Sequence, residues 1–210
     1  MARYLDAKCR LCRREGEKLF LKGSKCFSDK CGIERRPYPP GMHGQRRRVN
    51  RGSDYGLQLR EKQKVKRMYG LQEKQFKRCF HDADNMAGVT GLNLLHILES
   101  RLDNVVFRMG LAISRNEARQ LIRHKHIMVN GGLVTIPSYR MTVGTTVEIV
   151  SSAKEQLRVK AAVEEAGKRG VSEWLDTDLT TMKGTYKSHP AREQLDQGIS
   201  EQLIVELYSK

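Results

Sequence analysis

The sequence predicts an α+β fold in which helices dominate and a small sheet follows them. Apolar residues recur at helical spacing between residues 55 and 109. Short apolar runs flank the pair Asn130-Gly131, which is a strong signal for a tight turn between strands. The first 51 residues carry cysteines and basic residues but few apolar ones, so this segment cannot build a hydrophobic core of its own.

The helical elements can be placed from periodicity and capping residues. A stretch rich in helix formers runs from Tyr55 to Ala83 and is interrupted at Gly70. Thr90 is a suitable N-cap for a second run, which ends at Gly110. The helical spacing of its apolar residues predicts one core-facing helix. These residues are Leu94, Leu98, Leu102, Val105, Val106 and Met109.

A third helix and a small β element complete the predicted order. Ser114 and Glu117 have the spacing of a capping box, which marks a new helix N-terminus. Short strands are expected at residues 127–129, at 133–136 and around residues 147–149. Arg115, Arg119 and Arg123 follow one another at steps of four, so they share one face of this helix. That face either binds an anion or is solvated.

The charge distribution indicates an anionic partner, with nucleic acid as the first candidate. The chain has 39 Lys and Arg against 24 Asp and Glu, for a net charge of +15. Residues 1–51 hold 15 basic and 5 acidic residues, whereas residues 151–210 hold 9 and 10. A charge concentrated in this way is more than a solubilising coat. The simpler alternative, a disordered basic tail, is weakened by the cysteines and apolar residues within the same segment.

Several protein classes do not fit the sequence. No apolar run approaches the roughly 18 residues that a membrane span needs. The opening residues lack the apolar region of a secretory signal, and five cysteines cannot all pair, so we expect a reducing, cytoplasmic setting. No zinc-protease, phosphate-loop, dinucleotide or serine-hydrolase motif is present.

Four cysteines predict a structural zinc site. Cys9 and Cys12 form a CxxC pair, and Cys26 and Cys31 follow as a second close pair. Four thiolates in two pairs suit tetrahedral Zn²⁺, whose binding would fold the segment. An iron–sulfur cluster uses the same ligands and is the minor alternative. Cys79 lies inside a helical stretch and is expected to be a packing residue.

The basic residues give a set of RNA-binding candidates. Arginines flank the Pro/Gly-rich stretch 37–44, which cannot be a regular helix and is predicted to be an extended loop. Such a loop fits an irregular RNA surface, although a solvated linker is the alternative. Lys62 and Lys66 form a stripe that either contacts phosphates or is solvated. The full set is Arg3, Arg10, Arg13, Arg14, Arg35, Arg36, His43, Arg46, Arg47, Arg48, Arg51, Tyr55, Lys62, Lys66, Arg101, Arg115, Arg119, Arg123, His124, His126 and Asn130.

The chain resembles a known ribosomal family from end to end. The segments beginning at Glu99, Ser114 and Ile127 resemble the RNA-binding module named after small-subunit ribosomal protein S-four. The flanks, including the opening Met1-Ala-Arg-Tyr and the stretch beginning Ser53-Asp-Tyr-Gly, are similar to the bacterial and plastid form of that family. The four cysteines resemble its zinc-retaining branch.

The resemblance implies both a fold and a role. It implies that the module, residues 99–150, is inserted in a mostly helical domain made of residues 52–98 and 151–210, after the basic segment 1–51. It implies binding to the 5′ domain of small-subunit ribosomal RNA, nucleation of the subunit body, and a contact with ribosomal protein S-five that influences decoding accuracy. Messenger RNA at the entry tunnel is a further implied partner. The implied location is the small ribosomal subunit, in the cytoplasm or, for a plastid-encoded chain, in the plastid stroma. The residues expected near the protein partner are Trp174, Leu175, Ile199, Leu203, Leu207 and Tyr208.

Two other functions compete with this interpretation. Ser100-Arg-Leu-Asp103 resembles the aspartate motif of pseudouridine synthases, which use a similar module as a substrate handle. However, Asp103 falls inside a core-facing helix, and the 60 residues after the module are too few for a catalytic domain of usual size. A zinc-containing DNA-binding regulator would carry a dimerisation helix, for which no heptad pattern exists. We therefore expect a binding protein and no enzyme.

Overall fold

The computed structural model describes residues 4–45 and 53–209, without the side chains of residues 168 and 169. The chain folds as two compact units. Unit 1 comprises residues 1–91 and 197–210, and unit 2 comprises residues 92–196.

Unit 1 is helical where it is described. Its helices are α1 (Cys9–Glu15), α2 (Gly32–Arg35), α3 (Asp54–Met68), α4 (Glu73–Asp84) and α10 (Glu201–Tyr208). Ser53 caps α3 by accepting a hydrogen bond from the Gly56 backbone N–H at 3.2 Å. The packed interior includes Val65, Phe76 and Ile204, all fully buried. Glu15, at the end of α1, pairs with Arg67 of α3 and so fixes the cysteine-rich segment to the helical part.

Unit 2 combines helices with one sheet. Its helices are α5 (Thr90–Glu99), which begins just before the unit, α6 (Leu102–Arg108), α7 (Arg115–Arg123), α8 (Ser151–Lys154) and α9 (Leu157–Arg169). Its strands are β1 (Ile127–Val129), β2 (Gly132–Leu133), β3 (Thr146–Ile149), β4 (Leu175–Asp178) and β5 (Lys183–Tyr186). They form an antiparallel sheet in the order β2-β1-β3-β5-β4, with Val129 opposite Val147 and Val147 opposite Gly184.

The α+β class is confirmed, and several local signals predicted their elements correctly. Gly70 separates α3 from α4, and the Ser114 Oγ accepts from the Glu117 N–H at 3.3 Å at the start of α7. Asn130 and Gly131 both have positive φ, 48° and 77°, as a type I′ hairpin turn requires.

Three expectations about the fold are wrong. The run from residue 90 to 109 is two helices, because the backbone extends at Arg101 and forms a β-bridge with Arg140. The strand expected at residues 133–136 ends at Leu133. Residues 151–196 do not form a helical domain with residues 52–98, since β4 and β5 extend the sheet of the module through the pairing of β3 with β5. Only residues 197–210 join the first unit, where α10 packs on α3.

The core of unit 2 lies between its sheet and its helices. Trp174 and Tyr186 meet edge to face with ring centroids 5.4 Å apart, and both are almost fully buried. Leu102, Val106 and Leu121 bring α6 and α7 into the same core. These helices are therefore held rigidly against the sheet, which fixes the directions of the arginines that they carry.

Candidate nucleic-acid interface

The four N-terminal cysteines come from three elements that the fold brings together. Cys9 and Cys12 lie on α1, Cys26 ends a 3-10 turn, and Cys31 precedes α2. All four are free thiols; Cys9 is half-buried and the other three are buried. A Cβ atom added at Gly32 would lie 2.7 Å from the Cβ of Cys9, so the absence of a side chain there lets α2 approach α1.

Burial is the main influence on the ionisation of two of the cysteines. Burial raises the pKa of the Cys12 thiol, and the negative charges of Cys9, Cys26 and Cys31 raise it further. Burial likewise raises the pKa of Cys26, while the Lys22 backbone N–H, 3.4 Å from its sulfur, stabilises the thiolate. The donor set fits Zn²⁺ by chemistry.

The arrangement of a closed metal site is not present among the described residues. Within residues 4–45 and 53–209, no three His, Cys, Asp or Glu side chains converge as ligands of one ion would. Cys79 is buried in α4, as expected of a packing residue.

The basic residues of the N-terminal segment are divided between surface and structure. Arg10, Arg14, Arg35, Arg36 and His43 are exposed.

Arg13 has a structural role. Its Nε donates to the Tyr38 carbonyl at 2.9 Å and its guanidinium lies 4.9 Å from the Tyr38 ring centroid, so it fastens the Pro-rich loop to α1. RNA contact by Arg13 stays a prediction. Arg3, Arg46, Arg47, Arg48 and Arg51 lie outside the described residues.

The lysine stripe of α3 is engaged by a carboxylate. Lys62 and Lys66 both donate to Glu73, Lys66 at 2.8 Å, and the Tyr208 hydroxyl donates to the same carboxylate at 3.2 Å. Lys62 is buried. The stripe is thus not freely solvated, because its charges neutralise Glu73 at the junction of α3, α4 and α10, and phosphate contact by Lys66 stays a prediction. Tyr55 remains exposed.

Two of the module arginines are enclosed with Asp103. Arg101 is buried and donates twice to Asp103, at 3.1 and 2.8 Å. Arg119 reaches the same carboxylate across the interface of α6 and α7, at 3.0 Å. RNA binding through Arg101 is thus contradicted, and the Arg119 guanidinium has a structural partner. The buried Asp103 carboxylate is bound from both sides, which does not suit it for a catalytic role.

The third arginine of this group also points inward. Arg115 donates from Nε to the Asn104 side chain at 2.7 Å, and its guanidinium lies 4.7 Å from the Phe107 ring centroid. Asn104 in turn donates to Glu99, whose carboxylate also binds Arg108 at 2.8 Å. We call Glu99, Asp103 and Asn104 with the arginines 101, 108, 115 and 119 the polar network. It fixes α6 against α7, so a free Arg115 is not supported.

The exposed positive surface of the module lies where α7 ends. Arg123, His124 and Lys125 are exposed, and His126 is half-buried. Lys125 has φ 62°, so the chain turns sharply there. Partial burial lowers the pKa of His126, and the nearby Arg158 and His124 lower it further.

Arg158, half-buried near the start of α9, lies close enough to His126 to lower its pKa, and it was not predicted from the sequence. In the sequence, Arg158 lies in a segment of mixed charge, which gives no sign of a positive surface. Asn130 accepts hydrogen bonds from the N–H and hydroxyl of Thr146, at 2.9 and 3.2 Å, so its side chain holds the hairpin turn.

The expected protein-partner residues separate into two groups. Trp174, Leu175 and Ile199 are buried at 2%, 6% and 2% exposure, so they belong to the packed interior and cannot offer a docking surface. Leu203, Leu207 and Tyr208 are half-buried on α10, where Tyr208 stacks on Phe80 with centroids 4.5 Å apart. Only this second group retains accessible apolar surface.

Comparisons with known proteins agree with this arrangement. Residues 3–99 match the family described as ribosomal protein S4/S9 N-terminal domain, and residues 100–147 match the S4 domain. The chain is 58% identical to small ribosomal subunit protein uS4 of Thiobacillus denitrificans and 57% identical to that of Nitrosospira multiformis. It is 58% identical to small ribosomal subunit protein uS4A of Myxococcus xanthus. Each match covers 100% of both chains. In the described part of the chain, no helix is both long and apolar enough to cross a bilayer. The chain belongs to the uS4 family of ribosomal proteins.

Proposed function

We propose that this chain is a structural protein of the small ribosomal subunit that binds ribosomal RNA directly and catalyses no reaction. The observation that carries this proposal is the exposed cluster of Arg123, His124 and Lys125, presented by a module in which Arg101 and Arg119 are bound to Asp103. The full-length relatives, which bear the name of a small-subunit protein, support the same role.

The binding mechanism follows from charge and rigidity. Exposed arginines and lysines neutralise phosphates and release counterions, so affinity falls steeply as salt rises. The polar network keeps α6 and α7 in place before RNA arrives, so less conformational freedom is lost on binding. Because the major groove of an RNA helix is too narrow for side chains to read, shape and backbone spacing supply the specificity.

The finer parts of the role rest on the family resemblance. The proposed site is the 5′ domain of small-subunit ribosomal RNA, and the proposed task is to nucleate assembly of the subunit body. The half-buried apolar residues of α10 supply a surface for ribosomal protein S-five, through which the chain contributes to accurate decoding. Arg46, Arg47, Arg48 and Arg51 are proposed RNA contacts, and messenger RNA at the entry tunnel is a further proposed partner.

A structural metal belongs to the same proposal. Cys9, Cys12, Cys26 and Cys31 would hold one Zn²⁺, and the bound ion would supply folding free energy to a segment with little core. The placement of four cysteines on α1, the 3-10 turn and the start of α2 supports this assignment, because four sulfurs are the donors that structural Zn²⁺ takes. An iron–sulfur cluster would use the same four sulfur donors, and its visible absorption would distinguish it from colourless Zn²⁺.

An order-of-addition reconstitution tests the proposed role. The chain is added to naked small-subunit ribosomal RNA before any other ribosomal protein, and bound proteins are counted by mass spectrometry. We expect the chain to bind alone and its omission to prevent later proteins of the subunit body from joining. Binding that requires prior addition of other proteins would contradict the nucleating role.

A further inference from the structure

Two phenylalanines lie side by side on the surface of the cysteine-rich segment. The rings of Phe20 and Phe27 are stacked, with centroids 5.0 Å apart and planes inclined by 27°. Phe20 is 36% exposed and Phe27 is 57% exposed. A pair of aromatic rings that remains this accessible is a feature that hydrophobic burial does not account for.

The backbone holds this pair in place at a conformational cost. Phe20 has φ 48°, a left-handed conformation that a bulky side chain rarely adopts. On one side Leu19 is buried at 1% exposure, and on the other Cys26 is buried and bound by the Lys22 N–H. Because both ends of the loop are anchored, the direction of the Phe20 ring is set by the fold and not by its local preference.

The surroundings of the pair are basic. Lys22 and Lys25 are the charged residues between Leu19 and Phe27, and both are exposed. An accessible aromatic face beside lysines is the combination with which proteins hold unpaired nucleobases, where the ring stacks and the cations meet the flanking phosphates. The net charge of +15 and the membership of a ribosomal family make anionic RNA the partner that this combination favours.

We propose that the Phe20–Phe27 pair is a stacking platform for an unpaired base of small-subunit ribosomal RNA, with Lys22 and Lys25 binding the adjacent phosphates. The base extends the stack on the more exposed ring, that of Phe27. This inference rests on the proposed RNA-binding function and adds an aromatic contact to the one made by the basic surface at the end of α7.

Replacement of the exposed ring provides the test. The affinity of the zinc-loaded full chain for naked small-subunit ribosomal RNA is measured at three salt concentrations. Loss of one stacked base weakens binding by about 5- to 150-fold, so we expect Phe27→Leu to fall in this range. The slope of log affinity against log salt should be unchanged, because no charge is removed. Phe27→Trp should restore affinity, whereas Lys22→Gln should reduce the slope by about one.

A matched control and a direct probe separate the outcomes. Tyr139→Leu removes a similarly accessible aromatic ring from unit 2 and should leave affinity unchanged. Incorporation of 4-fluorophenylalanine at Phe27 reports contact without truncation, since a stacked base shifts the fluorine resonance when RNA is added. Amide exchange over residues 8–36 verifies that Phe27→Leu keeps its fold.

Two results would overturn the inference. One is an unshifted fluorine resonance; the other is equal affinity of Phe27→Leu and the unaltered chain for naked RNA. If Phe27→Leu then weakened incorporation only when other ribosomal proteins were present, the surface would be a protein contact. Failure of the unaltered chain to prefer ribosomal RNA over a shuffled sequence would instead reject the proposed function itself.

Discussion

Replacement of Glu73 by glutamine should loosen α10 from the helices beneath it. Glu73 accepts hydrogen bonds from Lys62, Lys66 and the Tyr208 hydroxyl, so one carboxylate connects α3, α4 and α10. Burial alone would raise the pKa of Glu73, but the hydrogen bonds from the two lysines outweigh it and lower the pKa to about 2. The Gln variant keeps the size of the side chain and removes the charge that both lysines need.

The magnitude follows from the pKa of Glu73. A decrease from 4.5 to about 2 corresponds to about 3.4 kcal/mol at 1.36 kcal/mol per unit. The side chain is 48% exposed, so solvent screening reduces the net contribution to roughly 1–1.5 kcal/mol. Because the folded-state pKa is depressed, this stabilisation is fully present above the unfolded pKa near 4.5 and is lost as pH falls towards 2.

Amide hydrogen exchange of α10 is the appropriate assay. We expect Glu73→Gln to exchange about 5- to 12-fold faster than the unaltered chain at pH 7, and the difference to shrink at pH 3. Glu155→Gln is the matched control, since Glu155 pairs with Lys160 on an exposed surface and its loss should change nothing measurable. Equal exchange in the Glu73 variant and the unaltered chain, or a difference that persists undiminished to pH 3, would refute this reasoning.

Three further predictions concern the metal, the module arginines and one glycine. Cys9→Ser combined with Cys12→Ser should unfold residues 8–36 and leave residues 53–209 folded; an intact N-terminal segment by amide exchange would argue against structural zinc. Arg101→Met should destabilise unit 2 by about 3 kcal/mol, read from the fluorescence of the single tryptophan, Trp174, with little change in the salt slope of RNA binding. Arg123→Met should reduce the salt slope of RNA binding and leave the stability of unit 2 almost unchanged. A large loss of stability in that variant would contradict the exposed position of Arg123. Gly110→Ala should cost about 2–3 kcal/mol, since φ is +78° and the new Cβ would lie 2.2 Å from the Ala166 Cβ. Gly131→Ala, with a similar φ but open space, should cost only about 1 kcal/mol, and equal losses would show that the contact with Ala166 is unimportant.

Features that depend on nearby residues were predictable from the sequence. The Ser114 cap and the Asn130-Gly131 turn each act within a few residues, so the sequence determines them almost alone. The capping signal and the helical spacing also placed Arg115, Arg119 and Arg123 on one helix, α7. Local physics therefore supplied most of the elements and their order.

Features that depend on distant residues were not predictable in the same way. Arg101, Arg115 and Arg119 turn inward because α6 presents Asp103 and Asn104 to them, and helical periodicity carries no information about that neighbour. The available signal was the placement of Asp103 and Asn104 between the apolar residues Leu102 and Val105, where buried polar groups need partners.

The strands β4 and β5 illustrate the same limit. Their sequences, Leu-Asp-Thr-Asp and Lys-Gly-Thr-Tyr, are short and mostly polar, and each has one large apolar residue. They become strands because β3 offers an unpaired edge and because Trp174 and Tyr186 fill the core beside it. Tertiary context decides their structure, so no local pattern separates residues 151–196 from a helical domain.

The most direct test of the central claim is the preference of the chain for its proposed RNA. The zinc-loaded, reduced protein is bound to the 5′ domain of small-subunit ribosomal RNA, to a shuffled RNA of equal length and to duplex DNA, each at two salt concentrations. We predict a preference of about a hundredfold or more for the ribosomal RNA at the higher salt, because purely electrostatic binding weakens there while shape recognition persists. Equal affinity for all three nucleic acids would mean that the charge of +15 acts only as a polycation, and it would contradict specific recognition of ribosomal RNA.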